Sequence, residues 1–233
     1  MENTVNNKVL LTEGTDVERV EFYKKTYAHV AGGFLAFLLL EVIFLNTPAI
    51  VNLGLSMLSG WSWLIVLGLF MLATTQAEKM VARAETRNMQ YLGYFIYIVA
   101  EAFIFVPLLY MAIATTGSTD LLVQAFSLTV ALFAGLSAMV FFTNKDFSFL
   151  RGAIVMGGFI AMGLIVAGMI FGFNLGLWFS VAMVALAAGS ILYQTSNLKY
   201  RYDKSQYVLA ALGLFASFML LLWYIIRIFM SRD

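Results

Sequence analysis

The chain has 233 residues, of which 62% are hydrophobic and only 12% charged, and its formal net charge is +1. That charged share is about half of what an ordinary soluble domain carries, so a water-facing surface cannot be built from it and the surplus apolar surface must face lipid. The near-neutral balance suggests neither a nucleic-acid footprint nor an acidic tail, and the absence of cysteine removes disulfides, thiol catalysis and thiolate metal sites.

Residues 1–23 are polar and carry Glu13, Asp16, Glu18 and Glu21. They lack the apolar centre of a cleavable signal peptide and read as a short, poorly structured cytosolic arm. A spanning helix needs about 20 mostly apolar residues, rising about 1.5 Å per residue through roughly 30 Å of hydrocarbon. Seven stretches meet that standard, at 27–45, 60–75, 89–114, 121–143, 149–173, 175–194 and 207–230. The chain therefore divides into the arm 1–23, a seven-span transmembrane domain 24–230 and a tail 231–233. In the first span, His29 is the single histidine and fits packing or the interface better than proton transfer. Glu41 falls near the far end of that span, where a solvated carboxylate is expected. The segment 46–59, with Pro48 and Gly54, reads as a loop, an interfacial turn or the start of the second span.

The third span holds a carboxylate near mid-bilayer, Glu101, followed by Pro107. A charge there costs on the order of 2.5 to 3.5 kcal/mol on insertion scales, so such a residue faces the bundle interior. Two readings stay open: a protonated packing device bonded to a neighbouring helix, or an ion or proton site. Asp146, after the fourth span, is placed to cap the fifth, with Ser148 as the alternative cap. In the fifth span Gly152, Met156, Ile160, Gly163 and Ala167 form a row of helical spacing that predicts close helix contact. Trp61, Trp63, Tyr91, Tyr94, Trp178 and Trp223 fall near expected span ends, as an interfacial aromatic belt would. In the seventh span Arg227 is placed to snorkel.

Lys8, Arg19, Lys24 and Lys25 precede the first span, and Lys79, Arg83 and Arg87 separate the second from the third. Lys145 and Arg151 mark the fourth turn, and Lys199, Arg201 and Lys204 the sixth. The intervening segments 46–59, 115–120 and 173–176 contain neither Lys nor Arg. Short cytoplasmic loops retain positive charge, so the N-terminus is expected inside and, with seven spans, the C-terminus outside. A re-entrant last segment would return it inside.

Enzymatic chemistry finds no footing. A zinc site of the H-E-x-x-H type needs two histidines; an aspartyl site needs two membrane Asp residues, whereas Asp120, Asp146 and Asp203 fall in expected loops. A Ser/His site would have only His29 to use, and a retinal protein needs a Lys that residues 207–230 lack. No catalytic residue and no cofactor is expected; the metal question and the oligomeric state stay open.

Ala131-Leu132-Phe133-Ala134-Gly135-Leu136-Ser137-Ala138, followed by Thr143-Asn144-Lys145-Asp146-Phe147-Ser148-Phe149-Leu150-Arg151-Gly152, resembles the Bax inhibitor-1 family, including its bacterial YccA-like and vertebrate Lifeguard members. Lys25-Thr26-Tyr27, Ile191-Leu192-Tyr193 and Ala211-Leu212-Gly213-Leu214-Phe215 agree with it, and the likeness runs from Tyr23 to Met230. The resemblance implies an all-α membrane protein of seven helices, six around a central C-terminal one. It assigns Lys145, Asp146, Phe147 and Ser148 a structural role. It further implies a pH-sensitive leak with calcium as the transported ion, or modulation of a membrane-bound AAA protease, and a bacterial inner membrane. The family's acidic pair in its last two helices is replaced here by Gln194 and Ser217, and a basic residue in the second span by Thr74 or Thr75.

Two adjacent carboxylates share one proton and so sense pH and bind divalent cations; an amide and a hydroxyl do not titrate. A calcium leak through this pair is therefore expected to be weakened or absent, and Glu101 joins Gln194 and Ser217 as the candidate ion or proton site. Counted from a turn near Asp203, Gln194 and Ser217 lie roughly 14 and 21 Å away, an offset of about one to two turns, so their contact needs a loop contribution.

Overall fold

The computed structural model describes residues 14–58, 61–143 and 145–231. The arm residues 1–13, the expected span start at Gly60 and the tail residues 232 and 233 lie outside them. Among the described residues there are eight helices and no strand: α1 (Asp16–Leu45), α2 (Pro48–Met57), α3 (Trp61–Arg83), α4 (Arg87–Thr116), α5 (Asp120–Phe142), α6 (Leu150–Phe171), α7 (Gly176–Tyr200) and α8 (Tyr207–Met230). Seven of them are long and apolar enough to cross a membrane, and α2 is the short exception.

Helix α1 begins earlier than hydropathy suggests, because Thr15 and Glu18 form a capping box: the Glu18 N–H donates to Thr15 Oγ1 at 3.3 Å and the Thr15 N–H to Glu18 Oε2 at 3.1 Å. Residues 16–23 of the expected arm are thus the first turns of α1. Its buried positions are Phe22, Thr26, Val30, Gly33, Phe37 and Glu41, a single stripe at helical spacing. Glu41 therefore does not reach solvent as its position near the span's end suggests; it is 4% exposed. The segment 46–59 resolves into α2, begun by Pro48, whose Gly54 lies so close to α4 that an added Cβ would stand 3.3 Å from Pro107 Cδ.

Helix α3 runs to Arg83, two turns beyond the expected span, because Ala77 and Val81 continue to pack on Gly93 of α4 after the outward face has turned polar. α8 is one unbroken helix with no re-entrant bend, and it packs against α1, α3, α4, α5 and α7. It is the centre of the bundle. Around it α1, α4 and α5 close an aromatic cluster in which Phe218 faces Phe34 at 4.0 Å and Phe133 at 5.5 Å, and Phe215 faces Tyr94 at 5.9 Å and Tyr97 at 6.2 Å.

Helix α6 sits at the periphery, packed chiefly on α7 and touching α8 through the Ala161, Met183 and Tyr224 cluster. The expected row of small residues is not its contact face: an added Cβ at Gly152 or Gly163 meets nothing, whereas one at Gly157 would come within 2.6 Å of Leu186 on α7. The aromatic belt also divides. Trp61, Trp178 and Tyr91 are exposed, but Trp63 and Trp223, both half-buried, stack at 6.3 Å against the core and Tyr94 is buried against Gly33.

Close backbone approach at Gly93 generates a test. A Cβ there would lie 2.8 Å from Val81 Cγ2 and 3.0 Å from the Ala77 carbonyl. Gly93→Val is expected to cost about 1 to 3 kcal/mol through overpacking and to lower the melting temperature in detergent, while Gly163→Ala leaves it unchanged.

The candidate ion site and the polar core

The hairpin of α7 and α8 carries the positions of the missing acidic pair. Ser217 donates to the Gly213 carbonyl at 2.9 Å and shares a hydrogen bond of 2.8 Å with Ser190. Gln194 lies against Gly213 from α7, where an added Cβ would be 3.0 Å from its Cδ, and its Oε1 is 3.5 Å from Asn197 Nδ2. Gln194 thus meets α8 one turn before Ser217, within the offset that the sequence count allows. The result is a neutral, hydrogen-bonded seam with no carboxylate in it.

The structure separates Glu101 from that seam. It stands at the middle of α4, 6% exposed, with Tyr97, also buried, one turn earlier on the same helix. Tyr97 is within electrostatic reach of Glu101 and also of Glu78, which is exposed on α3 at the basic end of the bundle. Glu78, Tyr97 and Glu101 form a line of groups from that end to mid-helix. Sequence reasoning singled out Glu101 but neither of the other two; the signal available was Glu78 standing beside Lys79, which reads as an ordinary solvated turn.

Sequence reasoning also passed over Glu41 as a functional group. Both of its carboxyl oxygens are buried without a hydrogen-bond partner, and among the described residues no ion pair reaches it. His29, by contrast, packs as expected: its ring stacks on Tyr91 at 5.6 Å, and Nδ1 is 2.7 Å from the Lys25 carbonyl. It lines a groove of about 390 Å³ between α1 and α4 with Gly32, Gly33, Tyr94 and Ile98. No group of three or more His, Cys, Asp or Glu able to hold a metal ion occurs among the described residues.

The motif between α5 and α6 is a tether. Asp146 Oδ1 accepts from the Ser148 N–H at 2.9 Å and from the Ser196 hydroxyl at 3.0 Å, while Ser196 Oγ accepts from the Phe147 N–H at 3.0 Å. Lys199 of α7 adds hydrogen bonds to the Val140 and Thr143 carbonyls at the end of α5. Neither Asp146 nor Ser148 caps α6, whose N-cap is Phe149 without a side-chain bond; the carboxylate is drawn instead to its own loop and to α7. Phe147 and Phe149 face one another at 6.3 Å, and Lys145 is exposed.

A family model described as "Inhibitor of apoptosis-promoting Bax1" matches residues 19–233. Relatives include an uncharacterized protein of Pseudomonas aeruginosa, 33% identical over 124 residues (53% of this chain, 55% of the relative). Mouse Protein lifeguard 4 is 28% identical over 120 residues (50% and 49%), and the Escherichia coli Modulator of FtsH protease YccA 30% identical over 122 residues (51% and 55%). The aligned chain spans about half the length of each of these relatives.

The Ser148 backbone N–H, foremost, together with the Ser148 and Ser196 hydroxyls and the charge of Arg201, holds the Asp146 carboxyl below the usual aspartate range. A depressed folded-state pKa means stabilisation that is present above the unfolded value and lost as pH falls through the folded one. Asp146→Ala is expected to lower the melting temperature at pH 7 by an amount worth less than about 1 kcal/mol, since the group is exposed. That difference should shrink as the pH is lowered below the aspartate range in a thermal-melt series.

Proposed function

This chain belongs to the Bax inhibitor-1 family, and from that premise we propose that it is a seven-span inner-membrane protein that leaks protons or cations, with Glu101 as the responsive group. Burial of Glu101 at the midpoint of α4, inside a bundle whose family pair has become Gln194 and Ser217, carries this reading. An ionisable residue at that depth is expensive and marks an ion or proton path. The line Glu78, Tyr97, Glu101 gives it an approach from the basic end, which the distribution of Lys and Arg makes cytosolic. Calcium is the family's ion, but the neutral α7–α8 seam offers no charged oxygen to bind it. Protons therefore fit this chain better than calcium.

A second reading rests on a relative whose name is that of a protease modulator. In it the chain binds a membrane-bound AAA protease through its N-terminal arm and conducts nothing.

Two experiments separate these readings. Purified chain in proteoliposomes is expected to pass protons between pH 5 and 8, and Glu101→Gln to abolish that flux while leaving the fold intact by size exclusion; unchanged flux removes Glu101 from the mechanism. Deletion of residues 1–13, which leaves the α1 capping box in place, is expected to abolish co-purification with a membrane protease if the second reading holds, with retained binding pointing to the spans.

A further inference from the structure

Helices α1 and α4 run parallel along a shared seam. The Tyr94 hydroxyl donates to the His29 carbonyl at 3.1 Å, and further along Phe37 meets Phe105 ring to ring at 5.2 Å. One turn before that aromatic contact stands Glu101 on α4; one turn after it stands Glu41 on α1. The two carboxylates are thus about 12 Å apart along the bundle axis, on opposite sides of a constriction that Trp223 completes at 5.0 Å from Phe105.

Burial of Glu41 is a product of tertiary structure. It continues the buried stripe of α1, and α2 folds back over the same end of the seam, with Val51 buried and Gly54 against Pro107 of α4. Nothing charged faces it there. α2 has no titratable residue, Tyr110 of α4 and Arg227 of α8 are exposed, and both Glu41 oxygens lack a partner. An ionised carboxylate in such a place would be left uncompensated at a cost of several kcal/mol. Two orphaned oxygens on a residue that is 4% exposed suit a group that binds and releases one proton rather than a packing device, which would be bonded.

We infer that Glu41 is a second proton-binding site, lying beyond the Phe37–Phe105–Trp223 constriction from Glu101 and covered by α2. This rests on the reading of Glu101 as the responsive group and extends it across the membrane. When the aromatic contact parts to admit water, a proton leaves the Glu101 carboxyl, passes through that water and adds to the Glu41 carboxylate, restoring one charged group and one neutral one. Release from Glu41 follows on the side of the α1–α2 turn. Only a proton moves, and no bond other than O–H forms or breaks.

The test uses the full chain in liposomes loaded with a pH dye, under a potassium-valinomycin clamp, with wild type, Glu41→Gln, Glu41→Asp and Glu101→Gln compared. Dicyclohexylcarbodiimide, an apolar reagent that attacks protonated carboxyls in lipid, is applied to wild type in parallel and its adducts are mapped by mass spectrometry. Loss of flux in Glu41→Gln, its retention in Glu41→Asp and a carbodiimide adduct on Glu41 are the expected results. Wild-type flux in Glu41→Gln, or no adduct on Glu41, overturns the inference. If Glu101→Gln alone loses flux, this inference falls and the role of Glu101 stands; if wild type passes no protons, both fall. Should Glu41→Gln fail to fold, Glu41→Asp and the adduct on wild type decide.

Discussion

A polar group in hydrocarbon has no water to turn to, so it must find a partner within the bundle, and this constraint bears hardest on α8. That helix is enclosed by α1, α3, α4, α5 and α7, and the one polar side chain in its interior, Ser217, is satisfied twice, by the Gly213 carbonyl and by Ser190. Interhelical hydrogen bonds of this kind are worth about 1 kcal/mol in membrane proteins. The larger consequence is geometric. Gly213 leaves the space that Gln194 fills, so α7 and α8 approach closely, and the remaining helices assemble on the aromatic faces of Phe215 and Phe218.

With that seam neutral, the buried carboxylates within the described helices are Glu41 on α1 and Glu101 on α4, while Asp203 is buried in the α7–α8 turn. Glu101 has Tyr97 within electrostatic reach, and both Glu41 oxygens lack a hydrogen-bond partner. The cost of burying carboxylates is not offset by any ion pair, since the three ion pairs among the described residues involve Asp16, Glu18 and Glu21 at the start of α1. A chain selected only for packing would be more stable with apolar residues at both positions. Their presence is the physical ground for assigning them work to do.

The tether around Asp146 solves a different problem. The loop between α5 and α6 lies where α6 has little purchase on the core, since α6 packs chiefly on α7 and meets α8 in the cluster around Ala161 and Tyr224. Binding the loop to Ser196 and Lys199 fixes the base of α6 to α7 by polar bonds instead of buried area. The outward face of α6, with Phe159 and Phe171 largely exposed, is left to lipid.

Span number, the alternation of basic turns and the mid-span place of Glu101 were legible in the sequence, because hydropathy and charge are properties of single residues summed over a window. The early start of α1 was not read, because its first turns are polar and pass for an arm; only the capping box of Thr15 and Glu18 in the structure shows it. What tertiary structure alone decided was which face of each helix is inside. It turned Glu41 from an expected interfacial carboxylate into a buried one, because the inward stripe of α1 continues through it at the end where α2 packs on α1 and α4. It moved the close contact of α6 from the Gly152–Gly163 row to Gly157, drew Tyr94 into the core and packed Trp63 and Trp223 against it. In a helix that is apolar on every side the sequence carries no periodic signal to orient it, so only the shapes of its neighbours can choose which residues meet.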